Sequence, residues 1–332
     1  MKLFTALCLF PVAPLLISAG VFAQPDSARQ ATVRRDSVQQ YLVKAGNSFY
    51  IQKYAEALES YLIVLRLDSN NVDAIKSIGP VYSSLGNRKL AREFLLRALK
   101  LDPYDADVNN NLGAVLSTEG NSTEAITYYE KAVQLDSTKA LYMNNLGTEY
   151  LKLERTDDAL RVLRRAQKKD SINAVIPFAI GNCFGAKKMY DSALYYYRKA
   201  VAEGGSGTDL FFSLGVVRRE LGRTSDAEKD FKYTLTIDPK HKPSLQSLGV
   251  LCMSQGRYTE AITYLEPLVA LDPASYPGLI SLGVAYKLTN RTAESDRILT
   301  NLFKADSSYG YKMIKLIRRE QIRQDSLQKK KP

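Results

Sequence analysis

The chain has 332 residues and a formal charge of +11, with one histidine, three cysteines and no tryptophan. A lone histidine with no second histidine or cysteine at ligand spacing excludes a clustered zinc-type centre. The absence of a Walker-type phosphate loop and of any nucleophile paired with a base leaves no conventional catalytic motif.

The first element is an export signal at residues 1–23. Lys2 precedes an apolar stretch from Leu3 to Phe22, and Val21-Phe22-Ala23 before Gln24 has the small residue required at a signal-peptidase site. Pro11 and Pro14 interrupt the stretch, which argues against a membrane anchor, since a spanning helix needs about 20 continuous apolar residues. Cys8 has too little apolar sequence before it for a lipoprotein cleavage site. A lead segment, residues 24–37, follows. The predicted location is the periplasm or the exterior.

From residue 38 to 309 the sequence repeats every 34 residues without insertion or deletion, as 38–71, 72–105, 106–139, 140–173, 174–207, 208–241, 242–275 and 276–309. The eighth position of the period holds Ala45 and then glycine seven times, from Gly79 to Gly283. The twentieth holds alanine seven times, from Ala57 to Ala261, and then Ser295. In the second period Ile75, Ile78 and Tyr82 keep helical spacing, Gly86-Asn87 breaks it, and Ala91, Leu95 and Ala98 resume it. Each period therefore predicts helix, turn, helix. Glycine inside a helix costs about 1 kcal/mol against alanine, so the glycine column implies that a side chain there would strike the neighbouring helix. Such pairs bury their apolar faces only by stacking in an array.

Asp102-Pro103, Asp238-Pro239 and Asp272-Pro273 close three periods, and aspartate followed by serine closes four more. These aspartates or serines are expected to offer oxygens to the amides of the next helix. The fifth period ends in Gly204-Gly205-Ser206-Gly207, which reads as a loose joint. Pro80 and Pro267 fall inside predicted helices and are expected to bend them. Cys183 and Cys252 lie two periods apart, too far for a disulfide, and are expected in the core.

The tail, residues 310–332, is basic: eight lysines and arginines stand against Glu320 and Asp325. Tyr311, Ile314, Ile317 and Ile322 form an apolar stripe, so this segment predicts a capping helix. Its charged face is either solvated or drawn to an anionic membrane or an acidic protein.

Leu112-Gly113, Ala125, Tyr129 and Ala132 in the third period, and Leu248-Gly249, Tyr258, Ala261, Leu265 and Pro273 in the seventh, resemble the tetratricopeptide repeat family. The resemblance covers all eight periods and is weaker in the first, where Lys44-Ala45 replaces Leu-Gly, and in the last, where Ser295 replaces alanine. It implies an all-α, right-handed superhelical solenoid with a groove lined by the first helix of each pair.

On that register the groove is polar in the second to fourth repeats and apolar from the fifth onward, with Val175 and Ile280 among its apolar members and polar residues scattered between. The implied partner-binding residues are Lys76, Asn110, Asn144, Phe178, Asn182, Phe212, Arg219, Gln246 and Met253. Phe178 and Phe212 share a register on adjacent repeats and are expected side by side as an anchor site. Val216, Val250 and Val284 read equally as groove wall or as packing between first helices.

The clamp with which some family members hold a terminal carboxylate is matched by Lys76 and Asn111 but not by Pro80, Leu141 or Asn145. The resemblance thus implies a non-enzymatic scaffold that binds a protein or peptide, with no cofactor and no nucleic acid. Two alternatives stand beside it: a carrier of an apolar ligand in repeats five to eight, or an accessory subunit of an envelope enzyme.

Overall fold

The computed structural model describes residues 27–328, so the signal segment of residues 1–23 and the last basic residues, Lys329–Lys331, lie outside it. The described residues form seventeen α-helices and no strand. They fall into two compact units divided between Leu101 and Asp102.

The first unit contains α1 (Ser27–Tyr50), α2 (Tyr54–Leu67), α3 (Val72–Ser84) and α4 (Arg88–Leu101). Helix α1 runs straight through the lead segment, and α3 passes Pro80 without interruption. Ala45, Ala57, Tyr61, Val64, Ala74 and Ile78 form its core.

The second unit contains six further pairs. Their first helices are α5 (Ala106–Thr118), α7 (Ala140–Lys152), α9 (Val175–Ala186), α11 (Thr208–Glu220), α13 (Lys242–Ser254) and α15 (Tyr276–Leu288). The second helices are α6 (Ser122–Leu135), α8 (Thr156–Lys169), α10 (Tyr190–Ala202), α12 (Thr224–Ile237), α14 (Tyr258–Leu271) and α16 (Thr292–Ala305), and α17 (Ser307–Gln328) follows.

From Gly79 to Gly249 the glycine column is explained by one recurring collision, and at Gly283 the obstacle is Met313 of α17. A Cβ built on Gly147 would stand 2.5 Å from Leu163 Cγ, one on Gly181 2.5 Å from Tyr197 Cδ1, and one on Gly249 2.5 Å from Leu265 Cδ2. In each case the obstacle is a buried large side chain of the second helix in the same pair, so the two backbones approach where glycine permits it.

Each pair turns through one residue of positive φ, always at the same register: Gln52, Gly86, Gly120, Glu154, Lys188, Gly222, Gly256 and Asn290. In the fourth pair Glu154 N–H donates to Leu151 O at 3.0 Å and Arg155 N–H to Tyr150 O at 2.9 Å, which satisfies the last carbonyls of α7. Only four of the eight are glycine, and an L-residue pays for the left-handed region. Glu154→Gly is expected to stabilise the protein by about 0.5–1 kcal/mol, read as a higher urea midpoint with unchanged slope.

The Gly204–Gly207 segment is an ordered cap rather than the loose joint the sequence suggests. Gly204 takes φ +90°, its N–H donates to Val201 O at 3.1 Å, and Gly205 N–H donates to Ala200 O at 2.9 Å. A Cβ on Gly205 would lie 2.8 Å from Ala200 O, so two glycines in succession are required. The closing aspartates also act differently from expectation. Asp102, Asp136 and Asp238 accept from the amide two residues on, at 3.0, 2.9 and 2.9 Å, and so close the loop. The helices after Asp102 and Asp238 are capped instead by Asp105 and His241, and α3 by Asn71, while α7 after Asp136 has no side-chain cap.

Helix α17 caps the last pair through a face that shares Ile317 and half-buried Ile314 with the predicted stripe. Tyr311 and Ile322 are exposed, whereas Met313 is fully buried with Leu316 and Ile317 packed beside it. Tyr258 Oη donates to Glu320 at 3.1 Å and Arg323 to Ser254 O at 2.7 Å, extending the contact along the helix. No helix among the described residues is long and apolar enough to cross a membrane.

Candidate functional site

Three consecutive first helices of the second unit meet at a cavity of about 350 Å³. Helix α5 contributes Ser117, α7 contributes Asn144, Thr148 and Lys152, and α9 contributes Phe178 and Asn182. These side chains recur at helical spacing on first helices that are held side by side by packing between successive pairs.

Glu149, only 2% exposed, anchors the polar end. Its carboxylate accepts from Ser117 Oγ at 2.7 Å and from Lys152 Nζ at 2.9 Å. Burial pushes its pKa up, but hydrogen bonds from Ser122, Lys152 and Ser117 outweigh this and hold it below the usual glutamate value. It is therefore ionised at neutral pH and keeps Lys152 in place.

At the apolar end, Phe178 packs on Tyr197 with ring centroids 5.8 Å apart. Tyr197 Oη donates to Asn182 Oδ1 at 2.9 Å, which leaves the amide nitrogen of Asn182 as its free donor end. Asn144 Oδ1 is buried without a partner in the protein. Phe178 also borders a second cavity of about 620 Å³, with Val175, Gly204–Gly207 and His241 around it. His241 carried no signal in the sequence beyond its solitude; here its Nδ1 accepts from Ser244 N–H at 3.3 Å and its ring stands edge-on to Phe212 at 5.2 Å.

Family models described as tetratricopeptide repeat match residues 77–105, 104–170, 144–209 and 212–276, together covering 77–276 apart from 210 and 211. The chain belongs to the tetratricopeptide repeat family. No curated protein matches it. Among solved structures, it resembles the Cut9–Hcn1 hetero-tetramer of APC/C at 16% identity and TM-score 0.60, over 74% of this chain and 55% of that one, so it spans about half the length of that relative. It resembles a tetratricopeptide repeat protein from Parabacteroides merdae at 14% identity and TM-score 0.59, over 76% and 99% of the two chains. It also resembles PilW, a type IV pilus biogenesis factor, at 18% identity and TM-score 0.56, over 64% and 98%. These likenesses show the fold. Tetratricopeptide repeat proteins are in general non-enzymatic interaction scaffolds.

Within this tetratricopeptide array, Asn144, Phe178 and Asn182 come together at one cavity, and the other residues implied by the family register do not join them. Asn110 is buried, its Oδ1 accepting from Asn145 Nδ2 at 2.9 Å as a rung between adjacent repeats. Phe212 does not stand beside Phe178: its ring packs on Phe231 at 5.7 Å and against a core cluster of Ala227, Phe231 and Leu248. Arg219 is exposed and bound to its neighbour Glu220 at 2.9 Å. Gln246 is half-buried on α13, while Met253 packs into the core beside Ile280 and Leu282. Lys76 is half-buried on α3 of the first unit, where a cavity of about 750 Å³ is lined by Arg34, Gln39, Asp68 and Asp73 but not by Lys76.

The apolar half of the predicted groove is largely spent in packing. Ile280 and Val284 are buried under Met313 of α17, leaving Val175 and Val250 as its exposed members. Among the described residues no group of three acidic, histidine or cysteine side chains could hold a metal. Cys183 and Cys252 are buried free thiols whose pKa values burial pushes up to about 11, which makes them inert.

Proposed function

We propose that the protein is an exported, non-enzymatic scaffold that holds a polypeptide segment of an envelope partner across α5, α7 and α9 and serves the assembly of a cell-envelope complex. The observation that carries this reading is the meeting of Asn144, Phe178 and Asn182, from consecutive repeats, at one cavity. Amide groups there can pair with a peptide backbone, which brings one donor and one acceptor per residue. Phe178 and Val175 supply the adjoining apolar surface for a side chain of the same segment. Export rests on the apolar run from Leu3 to Phe22 ahead of Ala23.

A photo-crosslinking residue at exposed Thr148, introduced in intact cells, should capture the partner, and Phe178→Ala should lower the captured yield by at least about tenfold. The same variant should melt within a few degrees of the parent, because its ring is only half-buried. Equal yields from the two proteins would dispose of the site. A mature protein whose N-terminus is still Met1 would dispose of the export reading.

A further inference from the structure

Helix α8 bears a face that the groove does not use. Arg161, Arg164, Arg165 and Lys168 are all exposed there, and with Lys187 from the end of α9 they surround a cleft of about 460 Å³. Leu160, Phe184 and Met189 give the cleft apolar walls. Its one acidic member, Asp157, is bound to Lys187 at 2.7 Å, and Arg161 pairs with Asp158. Arg164, Arg165 and Lys168 have no carboxylate partner among the described residues. The negative end of a helix dipole accounts for a lysine in the last turn, but not for Arg161 and Arg164 nearer the middle of α8.

The arrangement recurs one period on. A cleft of about 680 Å³ between α10 and the start of α12 is lined by Arg198, Lys199 and Arg223, and by Asp191, beside Leu194 and Tyr195, with Lys199 paired to Glu203 at 3.7 Å. Arg198-Lys199 occupies the register of Arg164-Arg165, and Leu194 that of Leu160. No other repeat has two cations at this register: the pairs there are Leu62-Ile63, Leu96-Arg97, Glu130-Lys131, Lys232-Tyr233, Glu266-Pro267 and Thr300-Asn301. A cluster of uncompensated like charges opposes folding through its own repulsion. Arg164, Arg165 and Lys168 in one cleft and Arg198 in the next, all without a carboxylate partner among the described residues, line apolar-walled clefts suited to an anionic occupant. Guanidinium groups offer forked donors matched to carboxylates.

We propose that the paired clefts on α8 and α10 form a second docking surface, independent of the groove, for an acidic polypeptide segment in which carboxylates alternate with aliphatic or aromatic side chains. The carboxylates meet Arg164, Arg165 and Arg198, and the apolar side chains enter between Leu160, Phe184 and Met189. The recessed apolar walls favour a chain segment over a planar bilayer, which would reach only the cationic rims.

The test measures fluorescence anisotropy of a short labelled peptide of Glu-Glu-Leu triplets against the mature protein, with a Gln-Gln-Leu peptide of equal length and phosphatidylglycerol vesicles as further probes. The glutamate peptide should bind, the glutamine peptide should bind at least about tenfold more weakly, and affinity should fall as salt rises. The triple variant Arg164→Glu, Arg165→Glu, Arg198→Glu should lose at least about tenfold in affinity for the glutamate peptide. The milder Arg164→Gln, Arg165→Gln, Arg198→Gln set, with an unchanged circular-dichroism melt, should lose a smaller share. Neutralising Lys312, Lys315, Arg318 and Arg319 in α17 to glutamine should leave binding in place. Equal binding of both peptides, undiminished binding by the triple variant, or loss only on neutralising α17 would overturn the proposal. So would vesicle binding without peptide binding, which would make the surface a membrane contact.

Discussion

Arg218→Met is expected to destabilise the protein by about 2–3 kcal/mol near pH 7 and by about 1 kcal/mol less near pH 4. Arg218 on α11 donates two hydrogen bonds to Asp230 on α12, at 2.7 and 2.8 Å, and the Asp230 side chain is only 9% exposed. Burial pushes the Asp230 carboxyl up to about 6 even though Arg218 pulls it down. The folded protein therefore binds this proton more tightly than the unfolded chain, whose aspartates titrate near 3.9. The contribution of Asp230 to stability is full below about pH 4 and is lost as pH rises through the folded value. Without Arg218 the folded pKa climbs further, so the deficit of the variant should be flat from about pH 4 to pH 5 and grow as pH rises through about 6. Urea midpoints across that range decide it, and a deficit that stays constant with pH would mean that the ion pair is not its source. Asp230→Asn, which leaves only the partly exposed Arg218 charged and keeps an acceptor for it, should be milder than Arg218→Met at neutral pH.

The second large effect concerns the contact beneath the same pair. Phe231 is fully buried, and a Cβ placed on Gly215 would lie 2.5 Å from its Cε1. Phe231→Ala should cost about 3–5 kcal/mol by opening a cavity. Gly215→Ala should cost about 1–3 kcal/mol by overpacking, despite the better helix propensity of alanine. Combined, the two should cost clearly less than their sum, since the new methyl enters the space the ring vacated. Strict additivity in a urea-unfolding cycle would show that Gly215 is not held small by Phe231.

The array was legible from the glycine and alanine columns because periodicity multiplies a weak signal by eight. The turn column was not, since Gln52, Glu154 and Lys188 have no left-handed preference to mark them, and among its non-glycine members only Asn290 does. The candidate groove was legible at Asn144, Phe178 and Asn182, which are placed by the register of their own helices. Asn110, Phe212 and Ile280 escaped because their burial is decided elsewhere, by Asn145 in the next repeat, by Phe231 and His241, and by Met313 of α17. The basic clefts were hidden by counting charge over the whole array, where acidic residues at other registers offset Arg164, Arg165 and Arg198.

Helix α17 has one more effect on the molecule. Every hairpin in the second unit has an adhesive side, and at the end of the series Ile280, Val284 and Leu302 would present theirs to the solvent without Met313 over them. An uncovered apolar side of that kind is a liability for association. By occupying that side with a helix whose outer face carries Lys312, Lys315, Arg318 and Arg319, the chain ends the stack on a charged surface instead of a greasy one.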